Sequence, residues 1–312
     1  MKYDDNEFIW EEKYRPQTVE DCVLPESIRL RANKIIEDGQ IQNMLFYSGP
    51  GTGKTTLAKA ICQQLDIDYI VINGSKEGRL IETVRGTVEH FANTMSVGSS
   101  RGRRPMKVVI YDEFDNSGDV QMAVRGLMDE VSAGCRFIFT GNYVTKIIAP
   151  IQSRTAMIDF SIPTKEQPVI MGKIMSRCCE ILENEKVQYD KKVLSQFIIK
   201  TFPDFRKILN DLQLYSAMGQ IDAGILELLT TRYETLVDSI MIKDFKGCEK
   251  WMTSNTYTGS IYSLLLKGLR DKAGKGYADA VLCADEAQYR HAFAVDPDIC
   301  LKAFCLNVMG VI

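Results

Sequence analysis

The stretch "SGPGTGKTT", Ser48 to Thr56, decides how this chain is read. It sets three glycines and a proline directly ahead of Lys54. Glycine and proline punctuate loops of every kind, so the flanks have to choose between a plain turn and a phosphate cradle. Before it runs MLFYS, an apolar strand pattern, and after it KTTLAKAICQQL, a helical one. Strand, glycine loop and helix in that order aim several backbone N–H groups and a helix N-terminus at one spot, which suits a phosphate chain. Lys54 would then reach the β and γ phosphates, and Thr55 would offer its hydroxyl to Mg2+. In the phosphate-loop pattern the first glycine falls at Ser48, and this chain has Gly49 one place later; Gly51, Gly53, Lys54 and Thr55 are intact.

Further short apolar runs follow at Tyr69 to Asn73, Lys107 to Asp112, Cys135 to Thr140 and Ala156 to Phe160, with helix-length stretches at Thr55 to Leu65 and Asp119 to Ser132. Runs of this length suit strands buried on both faces of a parallel sheet, and the alternation predicts an α/β layered domain. The run KVVIYDEFD puts Asp112 and Glu113 at a strand end. There one carboxylate can hold a magnesium ion through water, and the next can orient or deprotonate an attacking water. Asn142 follows another strand, where it is a turn residue or a hydrogen-bond partner for the γ-phosphate. Arg154 and Arg206 each read as a phosphate ligand or as a solvated charge.

After Ile162 the strand signal stops. Helical patterns cover Lys165 to Asn184, Asp190 to Lys200 and Pro203 to Met218, with Pro203 expected in a first turn. From about Asp222 the chain again reads as helices, for instance Ser260 to Arg270. The expected domains are 1–162, 163–221 and 222–312. Composition agrees: of 312 residues, 45% are hydrophobic and 25% charged, as in ordinary globular chains. The formal net charge of -3 excludes a globally basic nucleic-acid binder but not a local basic surface. No apolar run approaches a membrane span, and the acidic N-terminus has no secretion-signal pattern, so a cytoplasmic location is expected. Nine cysteines without a Cys-x-x-Cys pair, and two distant histidines, read as reduced core residues with poor material for zinc.

Taken together, "EEKYRP" at Glu11 to Pro16, "GPGTGKTT", "VINGS" at Val71 to Ser75, "VIYDEFD", "GLMDE", "PIQSR" and "NDLQLYS" after "FPDFRK" resemble the clamp-loader ATPases of the AAA+ superfamily. DEFD, in place of the DEAD form of the cellular replication factor C small subunits, resembles the T4-like phage type. The resemblance implies an AAA+ P-loop domain, a helical lid and a helical collar that assembles subunits. It implies that Glu11, Glu12, Lys13, Tyr14 and Val23 border adenine and ribose, while Gly51, Thr52, Gly53, Lys54, Thr55 and Thr56 wrap the phosphates of ATP. Asp112 would act with Mg2+, Glu113 as the catalytic glutamate, Asn142 as the first sensor and Arg206 as the second, on the lid. Arg154 would be an arginine finger acting in trans on a neighbouring subunit; the family's Ser-Arg-Cys reads Ser153-Arg154-Thr155 here.

Implied partners are primer–template DNA, a sliding clamp, and four copies of this subunit with one non-ATPase subunit, in a bacterial host's cytoplasm if phage-encoded. Arg101, Arg103, Arg104 and Lys107, with Arg79 and Arg85 upstream, are candidate phosphate contacts. Such contacts position a duplex without reading its sequence; a solvated surface loop would look the same. Gln121 and Arg125 match a helix joining the DNA side to the ATP site. Two other readings stay open, an AAA+ DNA remodeller or branch-migration motor and a non-catalytic nucleotide-binding subunit.

Overall fold

Residues 7–76, 81–94, 106–226, 233–255, 257, 261–291, 293–294 and 296–312 are described by a computed structural model. The five apolar runs form one sheet: β1 (Met44–Tyr47), β2 (Tyr69–Asn73), β3 (Lys107–Asp112), β4 (Cys135–Gly141) and β5 (Ala156–Asp159). All pairings are parallel, in the order β2-β3-β4-β1-β5. Because side chains alternate along a strand, Met44 and Phe46 pack into one core and Leu45 into the other. The first core is closed by α2 (Glu26–Asp38) and α3 (Lys54–Gln64), through Ile28, Leu57 and Ile61. The second is closed by α4 (Ile81–Asn93) and α5 (Val120–Glu130), through Val84, Val88, Val124 and Leu127. With both faces covered, the central strands β1, β3 and β4 have no polar face to show, which explains their continuous apolar runs.

The chain divides into two compact units, Met1–Ile221 and Asp222–Ile312. The first also holds the short helices α1 (Trp10–Lys13) and α6 (Ala149–Gln152), and the helices α7 (Gln167–Asn184), α8 (Lys191–Thr201) and α9 (Phe205–Ser216). Two findings correct the expectations there. A two-residue parallel ladder, β6 (Gln188–Tyr189) with β7 (Gln220–Ile221), lies where no strand was predicted. Pairs this short carry no periodicity. Helix α9 begins at Phe205, so Pro203 precedes it, and the Asp204 carboxylate caps it by accepting the Lys207 N–H at 3.0 Å. A side-chain oxygen satisfies an orphan N–H better than proline merely tolerates its absence.

The second unit is helical among its described residues: α10 (Glu234–Met241), α11 (Phe245–Ser254), α12 (Ile261–Leu269), α13 (Tyr277–His291) and α14 (Pro297–Val311). Its core is built on Leu236, Trp251, Tyr262, Leu265, Leu301 and Phe304. All nine cysteines are free, and six are buried. Burial pushes the Cys22 and Cys62 thiols up to about 12, which keeps them unreactive as thiolates. No described helix is long and apolar enough to cross a membrane.

Lys107 corrects another expectation. It is 4% exposed, and its ammonium donates to the Phe91 carbonyl at 2.6 Å, the Thr94 hydroxyl at 2.6 Å and the Thr94 carbonyl. The side chain therefore caps the C-terminal end of α4, where carbonyls lack partners and a cation is favoured. It is not an exposed DNA contact. Arg79, Arg101, Arg103 and Arg104 lie outside the described residues. Lys107→Ala should lower stability by about 1–3 kcal/mol, read as a shifted urea midpoint. Its affinity for primer–template DNA should match the parent's.

Candidate nucleotide site

β1 lies between β4 and β5, and its C-terminal end opens into the glycine loop. Crevices beyond the carboxyl ends of parallel strands, where strand order reverses, are the usual ligand positions of such sheets. Here a cleft is lined by the loop from Pro50 to Thr56, by Asp112 and Glu113 at the end of β3, by Thr140 to Asn142 at the end of β4, and by Arg206 on α9. The loop is closed on itself: the Ser48 hydroxyl sits 2.7 Å from that of Thr52. The serine found in place of a glycine thus braces the loop it departs from. Gly51 has φ +70°, and a Cβ there would fall 1.8 Å from the Asp204 carboxylate, so only glycine fits beneath the α9 cap.

Lys54 is 8% exposed. Its ammonium donates to the Ser48 and Gly49 carbonyls at 3.0 and 2.7 Å and to Asn142 Oδ1 at 3.2 Å. Burial lowers it from the ordinary lysine value of 10.5 to about 8, against the opposing pull of Asp112 and Asp115. Beside it, Asp112 Oδ1 accepts the Thr55 hydroxyl at 2.6 Å and the Thr140 hydroxyl. Glu113 stands at φ +53°, a left-handed conformation that turns the chain sharply after β3. Its N–H donates to the Thr140 hydroxyl at 3.2 Å, and its carboxylate accepts the Ser75 hydroxyl. Gly74 is required for this approach, since a Cβ would come within 2.4 Å of the Glu113 carbonyl.

At the other end of the cleft, Glu11, Tyr14 and Val23 form part of the wall with Ile170, Ile174 and Arg177 of α7. The buried Arg177 donates to the Tyr14 carbonyl at 3.0 Å and so ties this wall to the segment 11–14. Glu12 and Lys13, expected to border the base, do not line the cleft. Their charges are satisfied elsewhere, Lys13 by Glu185 at 2.8 Å and Glu12 by Arg15. Arg206 pairs with Glu11 at 2.7 Å, linking α9 to the N-terminal segment across the cleft.

Arg154 does not line the cleft; it pairs with Asp129 at 3.3 Å, and Arg125 approaches the other oxygen of Asp129 at 3.5 Å. Buried Gln121 donates to the Phe114 and Lys146 carbonyls at 3.4 and 3.0 Å and accepts the Ile148 N–H at 2.9 Å. It thereby fastens the turn after Glu113 to the segment leading into α6. Arg85 is exposed and engaged with Glu89 at 2.8 Å and Glu130 at 3.1 Å. Thr140, Cys22, Arg177 and the α7 isoleucines were missed as site residues. They carry no motif spacing: Thr140, Cys22 and the isoleucines look like strand or core residues, and Arg177 like an ordinary helix-surface charge.

A five-stranded parallel sheet with a lysine loop, two strand-end carboxylates and an asparagine at the next strand defines a nucleotide-binding P-loop protein of the AAA class. The family of ATPases associated with various cellular activities matches residues 44–162, and the AAA+ lid domain of the sliding-clamp-loader large subunit matches residues 166–227. The sliding-clamp-loader large subunit of Enterobacteria phage T4 is 39% identical over 250 residues, covering 78% of this chain and 76% of its own. That of Escherichia phage RB69 is 38% identical, covering 75% and 72%. The replication factor C small subunit of Saccharolobus solfataricus is 40% identical, covering 69% and 64%. A solved structure of a Thermotoga maritima RuvB variant shares the fold, with a TM-score of 0.55 at 12% identity over 82% of this chain and 85% of its own. The chain belongs to the sliding-clamp-loader family of AAA+ ATPases.

The lowered Lys54 value fixes a pH dependence. Between about 8 and 10.5 the unfolded chain binds the proton that folded Lys54 has lost, so this group's contribution to stability rises with pH across that window. Phosphate beside the amine favours its charged form and raises the value again. ATP binding at a pH slightly above the folded value of about 8 should therefore take up a proton. Calorimetric heats would then differ between buffers of different ionisation enthalpy, and affinity would fall as pH climbs; buffer-independent heats would contradict this.

Proposed function

We propose that this chain is an ATPase subunit that loads a ring-shaped sliding clamp onto primer–template junctions during DNA replication, hydrolysing ATP when DNA and clamp are both engaged. The observation that carries the site assignment is the convergence of Lys54, Asn142, Thr55, Asp112 and Glu113 on one crevice. Gly51 to Thr56 would wrap the phosphates, with Lys54 exchanging loop carbonyls for β and γ oxygens. Glu113 would orient the attacking water and accept its proton, and Asn142 would hold the γ-phosphate or that water. Thr55 and Asp112 offer two hard oxygens side by side, a donor set that fits magnesium, which keeps waters and takes one or two carboxylates plus substrate phosphates. Bound there, the ion would neutralise charge on the phosphates.

Glu11, Tyr14 and Val23 would border the base. Arg206, now paired with Glu11, would turn to the phosphates as the lid closes. Arg154, away from its own cleft, would serve a neighbouring copy, with Gln121 and Arg125 as the link between DNA and the site. We assign residues 1–162 to the ATPase domain, 163–221 to the lid and 222–312 to an oligomerising collar, in an assembly of four copies with one non-ATPase subunit. ATP would favour the clamp-binding state and ADP the other, a population shift driven by differential affinity. The RuvB likeness is a likeness of fold alone.

In the assembled loader, primer–template DNA plus clamp should stimulate ATP hydrolysis synergistically, and Glu113→Gln should abolish the stimulated rate while ATP still binds. DNA stimulation indifferent to clamp would favour a remodeller. Arg154→Ala subunits, mixed with parental ones, should silence the neighbouring site by about 10³- to 10⁵-fold; an effect confined to the mutant's own site would refute the trans role.

A further inference from the structure

Asp115, the last residue of DEFD, has no part in the chemistry above, yet it is 6% exposed and lies between the two strand ends that carry Glu113 and Asn142. The sheet fixes β3 against β4 only up to Tyr111 and Phe139. Beyond them β3 and β4 no longer pair with each other, although β4 stays on β1 up to Gly141 and β3 on β2 up to Asp112, so no ladder hydrogen bond sets Glu113 against Asn142. Asp115 supplies that hold. Its Oδ2 accepts the N–H of Asn142 and that of Tyr143, each at 3.1 Å. Both are charge-assisted bonds, stronger than neutral ones.

The carboxylate also packs close to Gly141, where a Cβ would meet Oδ1 at 3.2 Å and Cγ at 3.4 Å. Asn142 is thus held through its own N–H and through the residue before it. Its Oδ1 is the atom that meets Lys54 at 3.2 Å. On the other side, Asp115 belongs to the 3-10 turn Phe114–Asn116 that starts at Glu113. One residue therefore connects the turn carrying the proposed base to the backbone carrying the proposed sensor.

We propose that Asp115 is a positioning residue for ATP hydrolysis, setting the Asn142 side chain relative to the Glu113 carboxylate. This rests on the site reading in which Asn142 meets the γ-phosphate or the attacking water. Misplacing a reacting group by about 1 Å can cost on the order of 10²-fold in rate, while ground-state nucleotide binding, made by the loop, would be spared.

The test is steady-state hydrolysis by the assembled loader with primer–template DNA and clamp, alongside binding of a fluorescent ATP analogue. Asp115→Ala should lower kcat by about 10- to 100-fold, with KM and analogue affinity near the parent's. Asn142→Ala should lose a similar factor, and the double mutant should lose little more than either alone, since both remove one unit. Asp115→Asn keeps an oxygen for the two N–H groups and should recover most of the rate. Asp115→Glu keeps the charge but pushes a methylene against Gly141, and should stay slow.

Losses that multiply in the double mutant would overturn the proposal. So would recovery by Asp115→Glu with none by Asp115→Asn, which would mean that charge and not placement matters. If Asp115→Ala does not fold, the Asn and Glu variants decide by the same criteria. Parental kcat in Asn142→Ala would instead sink the site reading itself.

Discussion

A buried ammonium organises this molecule's cleft. Burial works against the charged form of Lys54, and without hydrogen-bond partners it would push the group further toward the neutral amine. Two loop carbonyls and the Asn142 amide oxygen satisfy it. Those three contacts draw the glycine loop over the amine and bring the end of β4 to the end of β1. Parallel pairing of Tyr47 with Gly141 sets the distance over which they reach.

Around that cation the strand-end groups form a second tier. Thr140 donates its hydroxyl to Asp112 and accepts the N–H of Glu113, so one β4 side chain fixes both carboxylate-bearing positions at the end of β3. Asp115 returns the constraint by holding Asn142, and Gln121 carries it on to the segment before α6. Each link is a hydrogen bond between partly buried groups, and joined end to end they tie three strand-end segments into one network. Such a network suits a site whose work is orientation and charge stabilisation. The lid side is held differently. Arg206 with Glu11 is an ion pair whose arginine is half-exposed, and such pairs contribute little net stability. A weak contact suits the proposed exchange of Arg206 from Glu11 to phosphate.

Much of this was legible beforehand. The five strands read from their apolar runs, because burial on both faces leaves a continuous signature in the central ones. The lysine loop and the Asp112-Glu113 pair read from spacing, because phosphate binding needs flexible backbone and a cation at fixed offsets. Lys107 did not read correctly: beside the arginines of 101–104 it looked like one more surface charge, yet its strand carries it under α4. Glu12 and Lys13 went astray because neighbours on a four-residue helix point in different directions, so only part of the helix can face the cleft.

The sequence by itself determined the class of fold, the order of its elements and the glycine–lysine spacing of the loop after β1, since each depends on periodicity or on short offsets along the chain. The tertiary structure alone decided which charges are available to a ligand. Lys54, Lys107 and Arg206 are all basic residues near turns or helix ends, and composition treats them alike. One is buried among carbonyls in the loop, one caps a helix, and one rests on Glu11. Those fates depend on partners many residues away, and local pattern carries no information about partners that only the packed sheet brings within hydrogen-bond reach.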